Sequence, residues 1–355
     1  MAFPSLVRRI TLDINKSFIK ELAHSHPLMQ LFWECTLRCN MRCRHCGSDC
    51  KVSAIHPDMP FADFEKVLLG IREKYDAGKI LIILSGGEPL MREDIVSCGR
   101  RIRDLGFPWG MVSNGRLMSE EMVDALLQAG MRTATISLDG LEEDHNWMRG
   151  MPDSFAYASK AISRLAASPV AFDVVTCVNR RNFPKLEQIK EYLISLGLKR
   201  WRIFTVFPVG RAATDPELQI DDASYRALMD FIVRTRKEGR IHLSYGCEGF
   251  LGEYEGRVRD HLFSCQAGLT IASVRIDGAI SGCTSIRSRF DQGNIYTDDF
   301  VEVWENRFDD FRDHKKFRTD ACAECKFWKW CQGNGMHLRN DDERLIMCNL
   351  QRLRK

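Results

Sequence analysis

Six short runs rich in Val, Ile and Leu constrain this chain most: "LMQLFWE" (28–34), "KILIILS" (79–85), "WGMVSN" (109–114), "TATISLD" (133–139), "AFDVVTCVN" (171–179) and "RWRIFTVFP" (200–208). Between them lie helical patterns, "FADFEKVLLGIREKY", "REDIVSCGRRIRDLG", "SEEMVDALLQAG", "SFAYASKAISRLAAS" and "FPKLEQIKEYLISLG". Several begin with or near Ser or Asp and end in Gly, as helix termini do. Strands alternating with helices predict an α/β fold, a parallel sheet with its helices outside. Such a sheet gathers its chemistry at the carboxyl ends of its strands. The unusual residues fall there: a cysteine stretch after the first run, "SGGEP" (85–89), "SNG" (113–115), "SLDG" (137–140), "CVN" (177–179) and "PVGRA" (208–212) after the others. Six such ends on one rim make a site.

Composition excludes several alternatives. A formal net charge of +3, with 51 basic residues dispersed among 48 acidic ones, is no nucleic-acid signature. The longest apolar runs, such as "ILIIL" at 80–84, are strand-length, far short of the roughly 18 residues a spanning helix needs. The first 27 residues alternate charged and apolar residues like an amphipathic helix and lack a signal-peptide core. These features predict a cytoplasmic protein with neither a nucleic-acid nor a membrane partner.

A reducing compartment gives fourteen cysteines a meaning other than disulfides, namely metal ligation or catalysis. Five lie at 35–50 and seven between 247 and 348, whereas Cys98 and Cys177 sit in apolar or helical contexts that suit small core residues. In "WECTLRCNMRCRHCGSDC" (33–50), Cys39, Cys43 and Cys46 form C-x3-C-x2-C. Three thiolates are one short of the four that usually hold an iron–sulfur cluster, so one iron would stay open to a small ligand. Zinc with His45 as fourth ligand is the alternative, strained because His45 directly precedes Cys46. Cys35 reads as a packed residue at the strand end, and Cys50 as a loop thiol with redox potential of its own.

The cysteine triad after the first strand and "GGEP" after the second resemble the radical S-adenosylmethionine (SAM) superfamily, over roughly residues 28 to 212. The resemblance implies a partial (β/α)6 barrel in which Cys39, Cys43 and Cys46 hold a [4Fe–4S] cluster. Its fourth iron would be chelated by SAM, which is cleaved reductively to a 5′-deoxyadenosyl radical that abstracts hydrogen from a substrate. It also implies an external electron donor of the flavodoxin or ferredoxin class. Residue types fit cofactor contacts: Gly86 and Gly87 permit close backbone approach, with Pro89 closing the motif. Glu88 would accept from the methionyl ammonium, Asn114 and Ser137 suit ribose or carboxylate, Arg149 could pair with the carboxylate, and Asp139 could order its loop. "SNG" and "SLDG" are equally ordinary turn chemistry.

The C-terminal third resembles the SPASM domain, the auxiliary-cluster extension of radical enzymes that modify peptides and proteins. "CQAG" at 265, "GAISGC" ending at 283, "GNI", "FVEVW" and C-x2-C-x5-C carry that likeness. It implies a small cysteine-rich α+β domain with one or two auxiliary [4Fe–4S] clusters. Cys322, Cys325, Cys331 and Cys348 would form one complete set. The other keeps Cys265 and Cys283, takes Cys247 as third ligand, and has Gly335 where the pattern has cysteine. An open iron, a water, His337, or no cluster at all remain open there, as does zinc at the last four cysteines. The organisation read from sequence is an N-terminal amphipathic extension (1–27), the barrel (28–212), a bridge (213–246) and the cysteine-rich domain (247–355).

The details "WECTLRCN", "HCGSDCK", "YGCEGFLGEYEG" and "WCQGNGMHL" are similar to a SPASM subgroup that accompanies small lipoprotein-like precursors in gut Bacteroidetes. The function expected is therefore radical-based modification of a peptide or protein. Because 27 residues are too few for a fused recognition module, recognition is expected from a separate leader-recognition protein or from surfaces of the barrel and the bridge at 213–246. The alternatives are a sulfatase-maturating-type enzyme, a small-molecule or cofactor-maturing enzyme, and a non-catalytic metal-binding adaptor. Sulfatase-maturating relatives carry an aspartate after the cysteine matching Cys283. Thr284 stands here and cannot act as a base near neutral pH. Incubation with a sulfatase-type peptide under reducing anaerobic conditions should yield no formylglycine by mass spectrometry.

Overall fold

The computed structural model describes residues 5–54, 56–286 and 290–354. All six runs form strands: β1 (Gln30–Thr36), β2 (Leu81–Gly86), β3 (Trp109–Ser113), β4 (Met131–Ser137), β5 (Ala171–Val178) and β6 (Arg200–Thr205). They pair in parallel in that order. After the N-terminal α1 (Leu6–Ser25), the helices that follow the strands are α2 (Phe61–Lys74), α3 (Ile95–Asp104), α4 (Glu120–Gln128), α5 (Glu142–Arg149), α6 (Ser154–Ala166) and α7 (Leu186–Ser195). This is the α/β partial barrel expected from the sequence.

The sheet extends beyond those six strands at both edges. The segment expected as a bridge folds as α8 (Asp222–Glu238) and β7 (His242–Tyr245), and β7 pairs in parallel with β6. On the opposite edge β8 (Ile271–Val274) pairs in parallel with β1, followed by the antiparallel β9 (Ala279–Ser281) and β10 (Gly293–Asn294). One ten-stranded sheet therefore runs from the barrel into the cysteine-rich region, which adds α9 (Phe300–Asn306) and several short helical turns.

Pleat parity decides what each strand delivers. In β1, Trp33 and Cys35 face the helices. Trp33 is fully buried, stacks on Phe64 of α2 with centroids 4.5 Å apart, and donates from Nε1 to Met59 Sδ at 3.3 Å. Cys35, also fully buried, points its thiol at the Ser85 carbonyl, the packed role expected for it. Phe32 and Glu34 alternate to the opposite face, inside the barrel.

One face of helix α1, around Leu12 and Asp13, docks on the C-terminal region, while Val7, Ile10, Ile14 and Phe18 are exposed. Leu12 packs with Phe250, Phe263 and Phe327, while Asp13 accepts from Trp330 Nε1 and pairs with Lys329, both at 2.7 Å. No described helix is long and apolar enough to cross a membrane.

Replacing Trp33 with Ala should open a cavity against Phe64 and cost about 3–5 kcal/mol of stability. Anaerobic thermal or denaturant unfolding would show the loss.

Candidate active site

The rim of the sheet brings the sequence motifs together. Cys39, Cys43 and Cys46 line one cavity of about 190 Å³ with Gly86, Gly87, Asn114, Ser137 and Arg149. Gly86 and Gly87 are there because nothing larger fits: a Cβ would lie 2.1 Å from the Thr36 carbonyl oxygen at the first, where φ is +121°, and 2.2 Å from the Arg38 carbonyl oxygen at the second. This close approach holds the "GGEP" turn against the start of the cysteine loop. Gly87 N and Glu88 N donate to those same two carbonyls at 2.7 and 2.9 Å.

The loop after β6 clamps the cysteine loop from the other side. Arg211 donates from Nε to the Cys43 carbonyl at 2.8 Å and from Nη1 to Asp49 at 2.8 Å and the Cys50 carbonyl at 3.2 Å. Arg44 pairs with Asp215 at 2.7 Å. Cys50 is buried against Cys39 and Cys43. The neighbouring Cys50 thiol lowers Cys46 and is itself raised. Cys39 is pushed up to about 12, chiefly by burial, and burial also raises Cys43.

Glu88 stands behind the cavity wall. Fully buried, it accepts from Leu90 N at 3.2 Å and Ser113 Oγ at 2.9 Å through Oε1, and from Asn114 N at 2.7 Å through Oε2. The carboxylate thus ties the end of β2 to the end of β3, with Pro89 beginning the short turn that follows it. Burial raises its carboxyl to about 7 against the opposing pull of those donors. Asn114 donates to Asn40 Oδ1 at 2.8 Å, and Ser137 lines the cavity with no hydrogen bond from its hydroxyl among the described residues.

Arg149 and Asp139 form a buried pair at 2.6 Å. Arg149 also reaches Cys43 Sγ at 3.6 Å, and Asp139 accepts from Cys177 N at 2.8 Å. Asp139 therefore orders both its own loop and Arg149. Burial works against its charge, but Arg149 and two neighbouring imidazoles hold its carboxyl below the usual range. Cys177, read from sequence as a core residue, belongs to this network: its sulfur, the Asp139 carboxylate and a His45 ring nitrogen lie within 4.8 Å of one another. Burial lowers His45 to about 4. With Arg149 already on the carboxylate, this group is a brace for the guanidinium and a poor site for a cation. Nothing in the sequence pattern separated Cys177 from a packed thiol.

A second cavity, about 670 Å³, adjoins the first and shares Gly86, Gly87 and Val112 with it. Its walls include Phe32, Glu34 and Phe207 from the barrel and Thr284, Phe290, Met336, His337, Arg339 and Asp341 from the C-terminal region. Glu34 is 1% exposed and accepts from Ile276 N at 3.1 Å. Sequence reasoning gave Glu34 no role, although strand alternation places it on the same face as Phe32.

The remaining cysteines form two groups. Cys322, Cys325, Cys331 and Cys348 line one cavity of about 600 Å³. Backbone N–H groups of Gly333 and Asn334 are directed at Cys331, and those of Leu350 and Gln351 at Cys348. In the other group, Cys247 is raised to about 12, first by surrounding protein and then by Cys283 and Cys265, although part of its surface meets solvent. N–H groups of Met336 and Ala267 are directed at Cys265, and the Thr284 and Ser285 hydroxyls at Cys283. Such donors stabilise thiolates and tune iron–sulfur centres. Among the described residues, no set of three cysteine sulfurs lies within 4.8 Å of one another. A single tetrahedral zinc would draw its sulfurs closer than that, given Zn–S distances of about 2.3 Å. A cluster, being larger, spreads them.

Residues 33–193 match the Radical SAM superfamily and residues 265–326 the SPASM iron–sulfur cluster-binding domain. The chain carries a radical SAM domain and a SPASM domain. Radical SAM enzymes use a [4Fe–4S] cluster with SAM, and SPASM domains bind auxiliary iron–sulfur clusters. The chain is 29% identical over 319 residues to the AdoMet-dependent heme synthase of Methanosarcina barkeri, covering 85% of this chain and 89% of that one. It is 23% identical over 331 residues to the PqqA peptide cyclase of Methylobacterium sp. (strain 4-46), covering 88% and 83%. Among solved structures, Streptococcus suis SuiB bound to its precursor peptide SuiA superposes with a TM-score of 0.68 at 16% identity over 88% of this chain and 74% of that one. AnSMEcpe with AdoMet and a peptide bound gives 0.68 at 18% identity over 89% and 90%. These likenesses establish the shared fold of the radical SAM barrel and its extension.

The raised Glu88 carboxyl makes a signed prediction. The folded state keeps this proton up to about pH 7, whereas the unfolded chain releases it near 4.5. Stability should therefore decline as pH rises between those values. Replacing Glu88 with Gln should flatten that part of a pH series of unfolding midpoints.

Proposed function

We propose that the protein is a radical SAM maturase acting on a peptide or protein side chain held in the 670 Å³ cavity. The observation that carries the reading is the shared wall: Gly86, Gly87 and Val112 line both the cysteine cavity and the larger one. A substrate seated in the second is thus next to the first. Cys39, Cys43 and Cys46 would hold the cluster, and their cavity, with three thiols and a guanidinium, fits its anionic sulfur cage. When bound, the cluster and SAM supply a 5′-deoxyadenosyl radical that abstracts hydrogen.

The chain's own residues bind, orient and exclude water. Gly86 and Gly87 leave backbone atoms open to the methionyl amine, with Glu88 fixing their turn from behind. Arg149, held by Asp139, is aimed to take the carboxylate, and Ser137 and Asn114 offer polar contacts on the β4 and β3 ends. Cys322, Cys325, Cys331 and Cys348 would hold one auxiliary cluster, and Cys247, Cys265 and Cys283 a second.

The cavity walls combine acidic Glu34 and Asp341, basic Arg339 and the aromatic Phe32, Phe207 and Phe290. This suits a peptide side chain, and the similarity to a lipoprotein-associated subgroup supports a small secreted-type precursor as its source, modified in the cytoplasm with a separate leader-binding partner. A second reading, modification of a tetrapyrrole, is favoured by the relatives named heme synthases and by the aromatic lining of Phe32, Phe207 and Phe290.

Reconstituted protein given SAM and dithionite, or a flavodoxin-type donor, should release 5′-deoxyadenosine. The triple variant Cys39→Ala, Cys43→Ala, Cys46→Ala should not. Adding a precursor peptide should raise the yield and change the peptide's mass. Stimulation by a propionate-bearing tetrapyrrole alone would overturn the peptide reading, and absence of cleavage from cluster-loaded protein with either substrate would overturn catalysis.

A further inference from the structure

We propose that the imidazole of His337 is the fourth donor of the iron site formed by Cys247, Cys265 and Cys283. The inference rests on the reading that these three cysteines hold an auxiliary cluster, and it names how that set is completed. Three thiolates leave one position of a four-iron cluster without a protein ligand, so the neighbouring side chains decide what stands there.

The turn at 335–337 meets this cysteine set at Cys265 and at the backbone of Cys247. Its central residue, Met336, directs its backbone N–H at Cys265. On one side of it, a Cβ built on Gly335 would lie 2.7 Å from His337 Cε1, 2.9 Å from His337 Nδ1 and 3.5 Å from the Cys247 carbonyl oxygen. The space that a side chain at 335 would enter, beside Cys247, is thus filled by the imidazole of residue 337. Glycine at 335 is what admits the ring. Cys247, Cys265 and Cys283 are near enough to interact electrostatically with one another, so the ring belongs to the turn that borders this set.

The imidazole is also uncommitted. It packs on Phe207, with centroids 5.1 Å apart, and makes no hydrogen bond among the described residues. A half-buried histidine without a hydrogen-bond partner among the described residues, on the turn that meets Cys265 and Cys247, has the donor chemistry that replaces thiolate in some iron–sulfur centres. His337 lines the 670 Å³ cavity as well. It therefore joins the substrate space to the cysteine set.

The test is spectroscopic and uses the full chain, labelled with ¹⁵N-histidine and reconstituted anaerobically. Carrying Cys39→Ala, Cys43→Ala and Cys46→Ala removes the signal of the SAM-binding cluster. Pulsed EPR of the reduced protein should show strong ¹⁵N coupling from a directly bound imidazole. His337→Ala should abolish it, and His337→Cys should abolish it while retaining the iron content. Separately, Cys265→Ala should remove the iron of one cluster. If iron falls with Cys265→Ala but the otherwise unaltered chain shows no strong ¹⁵N coupling, or the coupling survives His337→Ala, the assignment of His337 is overturned and the cluster reading stands. If Cys265→Ala leaves the iron content unchanged, no cluster sits on this set and both are overturned.

Discussion

Strand β1 is hydrogen-bonded on both sides, to β2 over Gln30–Thr36 and to β8 over Gln30–Trp33, and the rest of the structure depends on that double pairing. The cysteine loop begins where β1 ends. Pairing with β2 presses the "GGEP" turn against the loop's first residues, and pairing with β8 brings the distant 271–286 segment to the same edge. Without the second ladder the barrel mouth would lack the wall formed by Thr284, Ser285 and Ile286. A parallel ladder tolerates no one-residue slip here, because it would turn Glu34 out of the barrel and Trp33 out of the helical layer.

Much of the architecture was legible because its signals were redundant. The six strands were apolar, bounded by helical patterns and followed by unusual residues, so period, capping and strand-end chemistry agreed. The edges were harder. β7, "HLSY", and β8, "IASV", are four residues each and gain their identity from pairing with β6 and β1 rather than from propensity. A chain segment with one amphipathic helix and so short a strand reads as a connection, although α8 and β7 continue the parallel sheet.

The site divides the same way. Cysteines at ligand spacing and paired glycines announce themselves, since few other constraints require them. Glu88 announced itself too, but its orientation did not. In the sequence its carboxylate faces the cofactor's expected place, whereas the fold turns it onto Ser113, Asn114 and Leu90. Cys177, Glu34 and Arg211 are ordinary residues made special by long-range placement. Arg211 holds the carbonyl of a residue 168 positions away. No local pattern encodes such a contact.

The order in which the walls are made has a consequence for biosynthesis. The barrel's cysteine loop, at 39–46, is translated long before the strand at 271–274 that flanks β1, and before residues 336–339 that line the adjoining cavity. Chains fold from the N-terminal side as they emerge, and domains form as units. A nascent barrel would therefore present its thiols at an open mouth, one edge of β1 still unpaired. The same ladder that shapes the finished cavity also fixes the moment at which that mouth is covered, and any metal delivered to the loop before then would find a different, wetter environment from the one the mature protein provides.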